Sequence, residues 1–165
     1  MLVIATQVTM HAPDHPTPFH AFHYHRHTRG TCCVARLRRR KMFSHVMVGV
    51  KDLEASRKFY DALLGTLGIS PGAGNKNRYF YRSPTGSFAI TTPINGEPAT
   101  AGNGSTVGFL AKSQEQVDAF HATGISHGGT TCEDPPGLRE DSKLYLAYLR
   151  DPDGNKLCAL YRPAK

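Results

Sequence analysis

The sequence predicts an α+β fold built from two tandem strand–helix–strands modules, and three observations predict it. The stretch from His45 to Tyr60 recurs from Thr106 to His121 at a constant offset of 61, with Val46, Lys51, Glu54 and Phe59 meeting Val107, Lys112, Glu115 and Phe120. A turn sequence, Arg82-Ser83-Pro84-Thr85-Gly86, recurs as Arg150-Asp151-Pro152-Asp153-Gly154 at an offset of 68. Each strand stretch alternates apolar and polar residues, and each following stretch carries apolar residues at helical spacing.

In the first module Val46, Val48 and Val50 alternate on one strand face. Asp52 caps a helix whose Leu53, Tyr60, Leu64 and Leu67 share a side, and Gly68 ends it. Tyr79–Arg82 and Ser87–Thr92 pair across Pro84-Thr85, where Pro presets one dihedral and Gly86 accepts a positive φ. Pro93–Asn103 is the linker. In the second module Val107 and Phe109 alternate, Ser113 and Gln116 form a capping box, Val117 and Phe120 face the core, and Gly124 marks the predicted helix stop. Leu144–Arg150 and Asn155–Tyr161 form the last hairpin. The step from offset 61 to 68 implies an insertion of seven residues, placed around Cys132–Ser142. The modules span about 42–98 and 103–165.

The 165 residues suffice for one domain with a real core plus an extension. Residues 1–41 hold seven Lys and Arg against one acid, a balance of +6, whereas 42–165 hold 13 against 12 and carry +1. The basic character therefore belongs to the extension, and a nucleic-acid footprint on the domain has no compositional support. The extension also holds six of the nine His and three Pro, without helical or strand period. It is read as disordered, upstream of a domain that starts at Met42. Metal capture by His20, His23, His25, His27, Cys32 and Cys33, or an anionic partner for Arg36–Lys41, are the competing readings. No apolar run is long enough to span a membrane. Four Cys are too few for a disulfide scaffold, so a cytoplasmic setting is expected.

The duplicated unit, the Asp-Leu-Glu-x-Ser-x-x-Phe-Tyr helix start at Asp52–Tyr60 and the Asp-Pro-Asp-Gly-Asn hairpin at Asp151–Asn155 together resemble the vicinal-oxygen-chelate superfamily. That group contains glyoxalase I, bleomycin-resistance proteins and extradiol dioxygenases, and the resemblance covers residues 42–165. It implies an open, curved mixed-sheet barrel around a cleft, a homodimer, and a divalent metal that chelates neighbouring substrate oxygens. Carried over by position, the ligand places fall on His45, Ile90, Thr106 and Cys158. His45 is a suitable imidazole, Cys158 binds only as thiolate, Thr106 is a poor ligand and Ile90 is none. Either one divalent metal or none is compatible with this set, and glyoxalase I itself is disfavoured.

Two further roles for the pair stay open: a His45–Cys158 nucleophile, and His45 as a metal-free general base aided by Thr106. Cys158 also reads as a small buried apolar residue. Strand alternation brings Met47 and Gly49 to the side of His45, Gly108 and Leu110 to that of Thr106, and Lys156 and Leu160 to that of Cys158. Tyr79, Tyr81, Phe88, Tyr145 and Tyr148 are spread over neighbouring strands, and about half of them are expected to face the cleft. Arg139 and Lys143, before Leu144, read either as solvated loop charges or as partners for an anionic group of the ligand. The expected function is binding or transforming a small molecule, with metal-assisted lyase or dioxygenase chemistry. The alternative is a metal-free sequestering protein of the antibiotic-resistance type.

Overall fold

The computed structural model describes residues 42–164; the readings made for the 1–41 extension fall outside the described residues. The elements run β1 (His45–Gly49), α1 (Leu53–Gly65), β2 (Ala73–Asn75), β3 (Arg78–Ser83), β4 (Gly86–Thr91), β5 (Val107–Leu110), α2 (Gln114–Ser126), β6 (Thr130–Thr131), β7 (Gly137–Arg139), β8 (Leu144–Arg150) and β9 (Lys156–Tyr161). They form an α+β fold with two helices and two mixed sheets, ordered β1-β4-β3-β2 and β5-β9-β8-β6, with β7 also on β8. In each sheet the first strand lies parallel to the last, and the remaining pairings are antiparallel. The sheets are open, and among the described residues no strand pairing joins them.

Local chemistry explains the elements. The Asp52 carboxylate accepts from the Glu54 and Ala55 amides at 3.0 and 2.9 Å, satisfying donors that a helix start leaves free. Ser113 accepts from the Gln116 amide at 3.3 Å, and the Gln116 side chain reaches back to the Lys112 amide at 2.8 Å, one residue before the cap. The first helix ends at Gly65, earlier than predicted, and Gly68 takes φ +76 in the turn that follows. The second helix does not stop at Gly124, as predicted: it runs to Ser126, and Gly128 takes the positive φ. Gly124 is glycine for space, since a Cβ there would lie 2.6 Å from a Leu149 methyl and 3.2 Å from one of Leu63.

The insertion becomes structure. The first sheet has one short strand beside β3, whereas the second has two beside β8, joined by the Cys132–Pro136 loop.

The core lies between the helices and one face of each sheet. Phe59, Tyr60, Leu63 and Leu64 from α1 meet Val117 and Phe120 from α2, with Tyr81, Phe88, Ile90, Leu149, Leu157 and Ala159 from the strands. Aromatic contacts run from Tyr60 to Phe88 (5.0 Å), Phe88 to Phe109 (5.3 Å) and Phe109 to Phe120 (5.9 Å), joining both halves. The Asp151–Asn155 turn docks on the first half: Asp153 accepts from the Lys51 amide and Ser56 hydroxyl, Asn155 donates to the Gly49 carbonyl, and Tyr60 donates to Asp151 at 2.6 Å.

Candidate functional site

A cleft of about 590 Å³ opens between β1 and β5. Its walls come from the entry to β1, the β3–β4 hairpin, the Leu67–Ser70 turn and β5. Phe43, Tyr81, Phe88 and Phe109 supply aromatic surface, and His45 and Lys112 supply polar groups. Edge strands position these groups: among the described residues β1 and β5 each pair on one side only, so their other sides face the gap. Apolar side chains around it remain exposed, with Met42 at 86%, Phe43 at 63% and Leu110 at 76%.

The expected site residues fall into two groups. His45 and Tyr81 line the cleft, as do Gly108 and Leu110. His45 is exposed, its Nδ1 2.9 Å from the Ser44 hydroxyl. Tyr81 is 2% exposed, on the helix-facing side of its sheet, and its hydroxyl donates to the Arg57 carbonyl at 3.3 Å. Burial first, and then the nearby Asp61 charge, push its phenol well above the usual tyrosine range.

Cys158, Tyr148 and Arg139 share the opposite, open side of the second sheet, following the cross-strand register Tyr148↔Cys158 and Arg139↔Leu144. Cys158 is 5% exposed, and burial raises its thiol pKa against the opposing hydrogen bond from Tyr148. Burial thus disfavours the thiolate that a nucleophile needs. The Tyr148 phenol is raised by burial and by its Cys158 neighbour. Lys156 lies over the Tyr148 ring at 4.9 Å and pairs with Glu133. Arg139 is spent on the carbonyls of Asp134, Pro135 and Gly137. Lys143, expected beside it, pairs with Glu140.

Thr106, just before β5, borders a polar hollow with Arg150 and Lys156, next to the Cys158 side of the sheet.

One positional correspondence changes. Four residues separate the paired Arg82 and Ser87, but five separate the paired Arg150 and Lys156. The extra residue shifts the last strand by one, so Cys158 matches Ala89, not Ile90. Because strand side chains alternate, that shift turns Ile90 to the helix-facing core, where it is fully buried.

The four places expected to bind metal thus carry His45, Ala89, Thr106 and Cys158. A catalytic divalent site takes about three protein ligands with one position open. Among the described residues no three His, Cys, Asp or Glu side chains gather in that way. This donor set does not fit a resident divalent metal.

Of the expected aromatics, Tyr81 and Phe88 reach the cleft lining. Sequence reasoning missed Phe43, Phe109 and Lys112, because the β1–β5 gap that gathers them is a tertiary feature with no local signal.

Comparison with known proteins agrees with this architecture. Residues 42–159 match the family model of the Glyoxalase/Bleomycin resistance protein/Dioxygenase superfamily. A crystal structure of a glyoxalase/bleomycin resistance protein from Albidiferax ferrireducens T118 is 78% identical, covering 74% of this chain and 99% of its own, with a TM-score of 0.72. A glyoxalase/bleomycin resistance protein/dioxygenase family enzyme from Burkholderia phytofirmans PsJN shares the fold at 18% identity and TM-score 0.58, covering 73% of this chain and 98% of its own. Lactoylglutathione lyase from Agrobacterium tumefaciens does so at 15% and 0.54, covering 74% and 95%. No curated protein matches. With its family model spanning more than two thirds of its length, the chain belongs to the glyoxalase/bleomycin resistance protein/dioxygenase superfamily.

Proposed function

We propose that the two halves act as tandem βαβββ modules of an open, curved barrel, and that the cleft between β1 and β5 binds a planar or amphipathic small molecule without a resident metal. The observation that carries this reading is the cleft itself, about 590 Å³ with Phe43, Tyr81, Phe88 and Phe109 in its walls. Such a volume and aromatic lining suit a drug-sized ligand. The donor set at the expected metal places favours the sequestering, bleomycin-resistance type of function over metal-assisted lyase or dioxygenase chemistry. A second reading rests on His45, the one imidazole among the described residues of the cleft lining: a general base acting on the bound molecule without metal. The exposed apolar residues at the cleft mouth and the open sheets support a homodimer. Cys132 and Cys158, free thiols among the described residues, suit a reducing, cytoplasmic compartment. No helix of the described residues is long and apolar enough to cross a membrane.

The test uses 8-anilinonaphthalene-1-sulfonate, a planar probe whose fluorescence rises in apolar surroundings. Gly108 lines the cleft, and a Cβ there meets no atom within 4 Å, so Gly108→Leu fills the space without disturbing packing. The probe is expected to bind saturably to the parent, to keep its affinity after chelator treatment, and to lose it in Gly108→Leu. Loss on chelation, or binding unchanged by Gly108→Leu, overturns the reading.

A further inference from the structure

A second cavity, of about 420 Å³, lies apart from the cleft, against the start of β5. Its lining is Ala101–Thr106 together with Arg150 and Lys156, so it holds two cations and no carboxylate. Gly102 and Gly104 have no side chains, which leaves backbone as much of the wall. The amides of Gly102, Asn103 and Gly104 have no hydrogen-bond partner among the described residues. Gly104 has φ +84, a conformation that favours glycine. The Thr106 hydroxyl adds a further donor.

Both cations are fixed in place yet keep free donors. Lys156 is held between the Tyr148 ring and Glu133. The Arg150 guanidinium donates to the Gly154 carbonyl at 2.8 Å, and among the described residues no carboxylate pairs with it. The Arg150 and Lys156 side chains, the Thr106 hydroxyl and unpaired amides border one hollow, and they supply an oxyanion-binding set once the Lys156 ammonium turns from Glu133.

We propose that this hollow binds a compact oxyanion, the phosphate or carboxylate end of a small molecule, through Lys156, Arg150, Thr106 and the Gly102–Gly104 backbone. The Glu133 carboxylate is the resident competitor: an incoming anion shares the Lys156 ammonium with it. This site does not depend on the reading of the β1–β5 cleft.

Calorimetric titration of the full chain with inorganic phosphate, at ionic strength held constant with chloride, tests it. Comparison between variants removes any contribution from the basic stretch Arg36–Lys41, which all of them carry. Lys156→Gln and Arg150→Gln are each expected to weaken binding about tenfold, as the loss of one charge-assisted contact implies. Lys156→Arg, which keeps the charge, is expected to restore most of it. Thermal midpoints close to the parent's establish that these variants are folded. Acetate titrated in place of phosphate, with the same losses, assigns the carboxylate source within the same chemistry. No phosphate or acetate binding by the parent, or equal affinity in the parent and both Gln variants, overturns the proposal.

Discussion

Asp151 is 3% exposed and has no cation beside it among the described residues, yet its carboxylate is fully occupied. One oxygen accepts from the Asp153 and Asn155 amides at 3.0 and 2.7 Å, and the other from the Asn155 side chain at 2.8 Å and the Tyr60 hydroxyl at 2.6 Å. Four donors offset the cost of burying the charge. The sequence reads Asp-Pro-Asp-Gly as a turn; its second role, receiving Tyr60 from a helix 91 positions away, is invisible to local pattern. Tyr60→Phe removes one of the four donors and is expected to cost about 1–3 kcal/mol in urea unfolding. Burial and the Asp151 charge also raise the Tyr60 phenol well above its ordinary 10.0. As pH rises through 10, the unfolded chain releases this proton while the folded chain keeps it, so stability falls on the alkaline side. Unfolding midpoints followed across that range are expected to drop less steeply in Tyr60→Phe. The two described thiols differ in the same terms. Cys158 is buried with a raised pKa and Cys132 is partly exposed, so Cys132 is expected to react first with a disulfide reagent. With Cys32 and Cys33 both changed to Ser, faster labelling that survives Cys132→Ser would overturn that assignment.

Among the elements, those with strong periodicity were legible and those without it were not. The alternation Val46, Val48, Val50 and the cap at Asp52 located β1 and the start of α1, whereas α1 ends at Gly65, two residues before the predicted Leu67. The short strands Ala73–Asn75, Thr130–Thr131 and Gly137–Arg139 carry no period, and only their pairing with β3 and β8 makes them strands. The candidate site was legible as strand positions but not as a set. Register decides which side chains share a face, and one extra turn residue moved Ile90 out of correspondence with Cys158. Glycine shows the same dependence on context. A Cβ added at Gly65, at the end of α1, would meet nothing within 4 Å, whereas one at Gly124 would strike buried Leu149. Gly65→Ala is expected to stabilise by up to about 1 kcal/mol through helix propensity. Gly124→Ala gains the same propensity but overpacks the core, and a net loss of about 1–2 kcal/mol is expected. Equal shifts of the two midpoints in the same direction would contradict this packing account.

At the scale of the whole molecule, the repeat made two halves legible, but not what couples them. One core runs through both, by way of Phe88, Phe109 and Phe120, and the Asp151–Asn155 turn reaches across to Lys51, Ser56 and Tyr60. Neither half can unfold without exposing part of the other's buried surface. Helical signal and tyrosine environment are therefore expected to be lost in one coincident transition in urea. Two separated transitions would mean that the halves are stable alone. The proposed homodimer adds a concentration dependence to the same measurement. Association stabilises the folded state by mass action, whereas a monomer's midpoint does not depend on how much protein is present. The midpoint is expected to rise across about a hundredfold increase in protein concentration. Leu110→Asp, which puts a charge on the most exposed apolar strand residue beside the cleft, is expected to flatten that rise. A midpoint that stays constant in the parent removes the dimer and leaves Met42, Phe43 and Leu110 as the rim of a monomer's binding cleft.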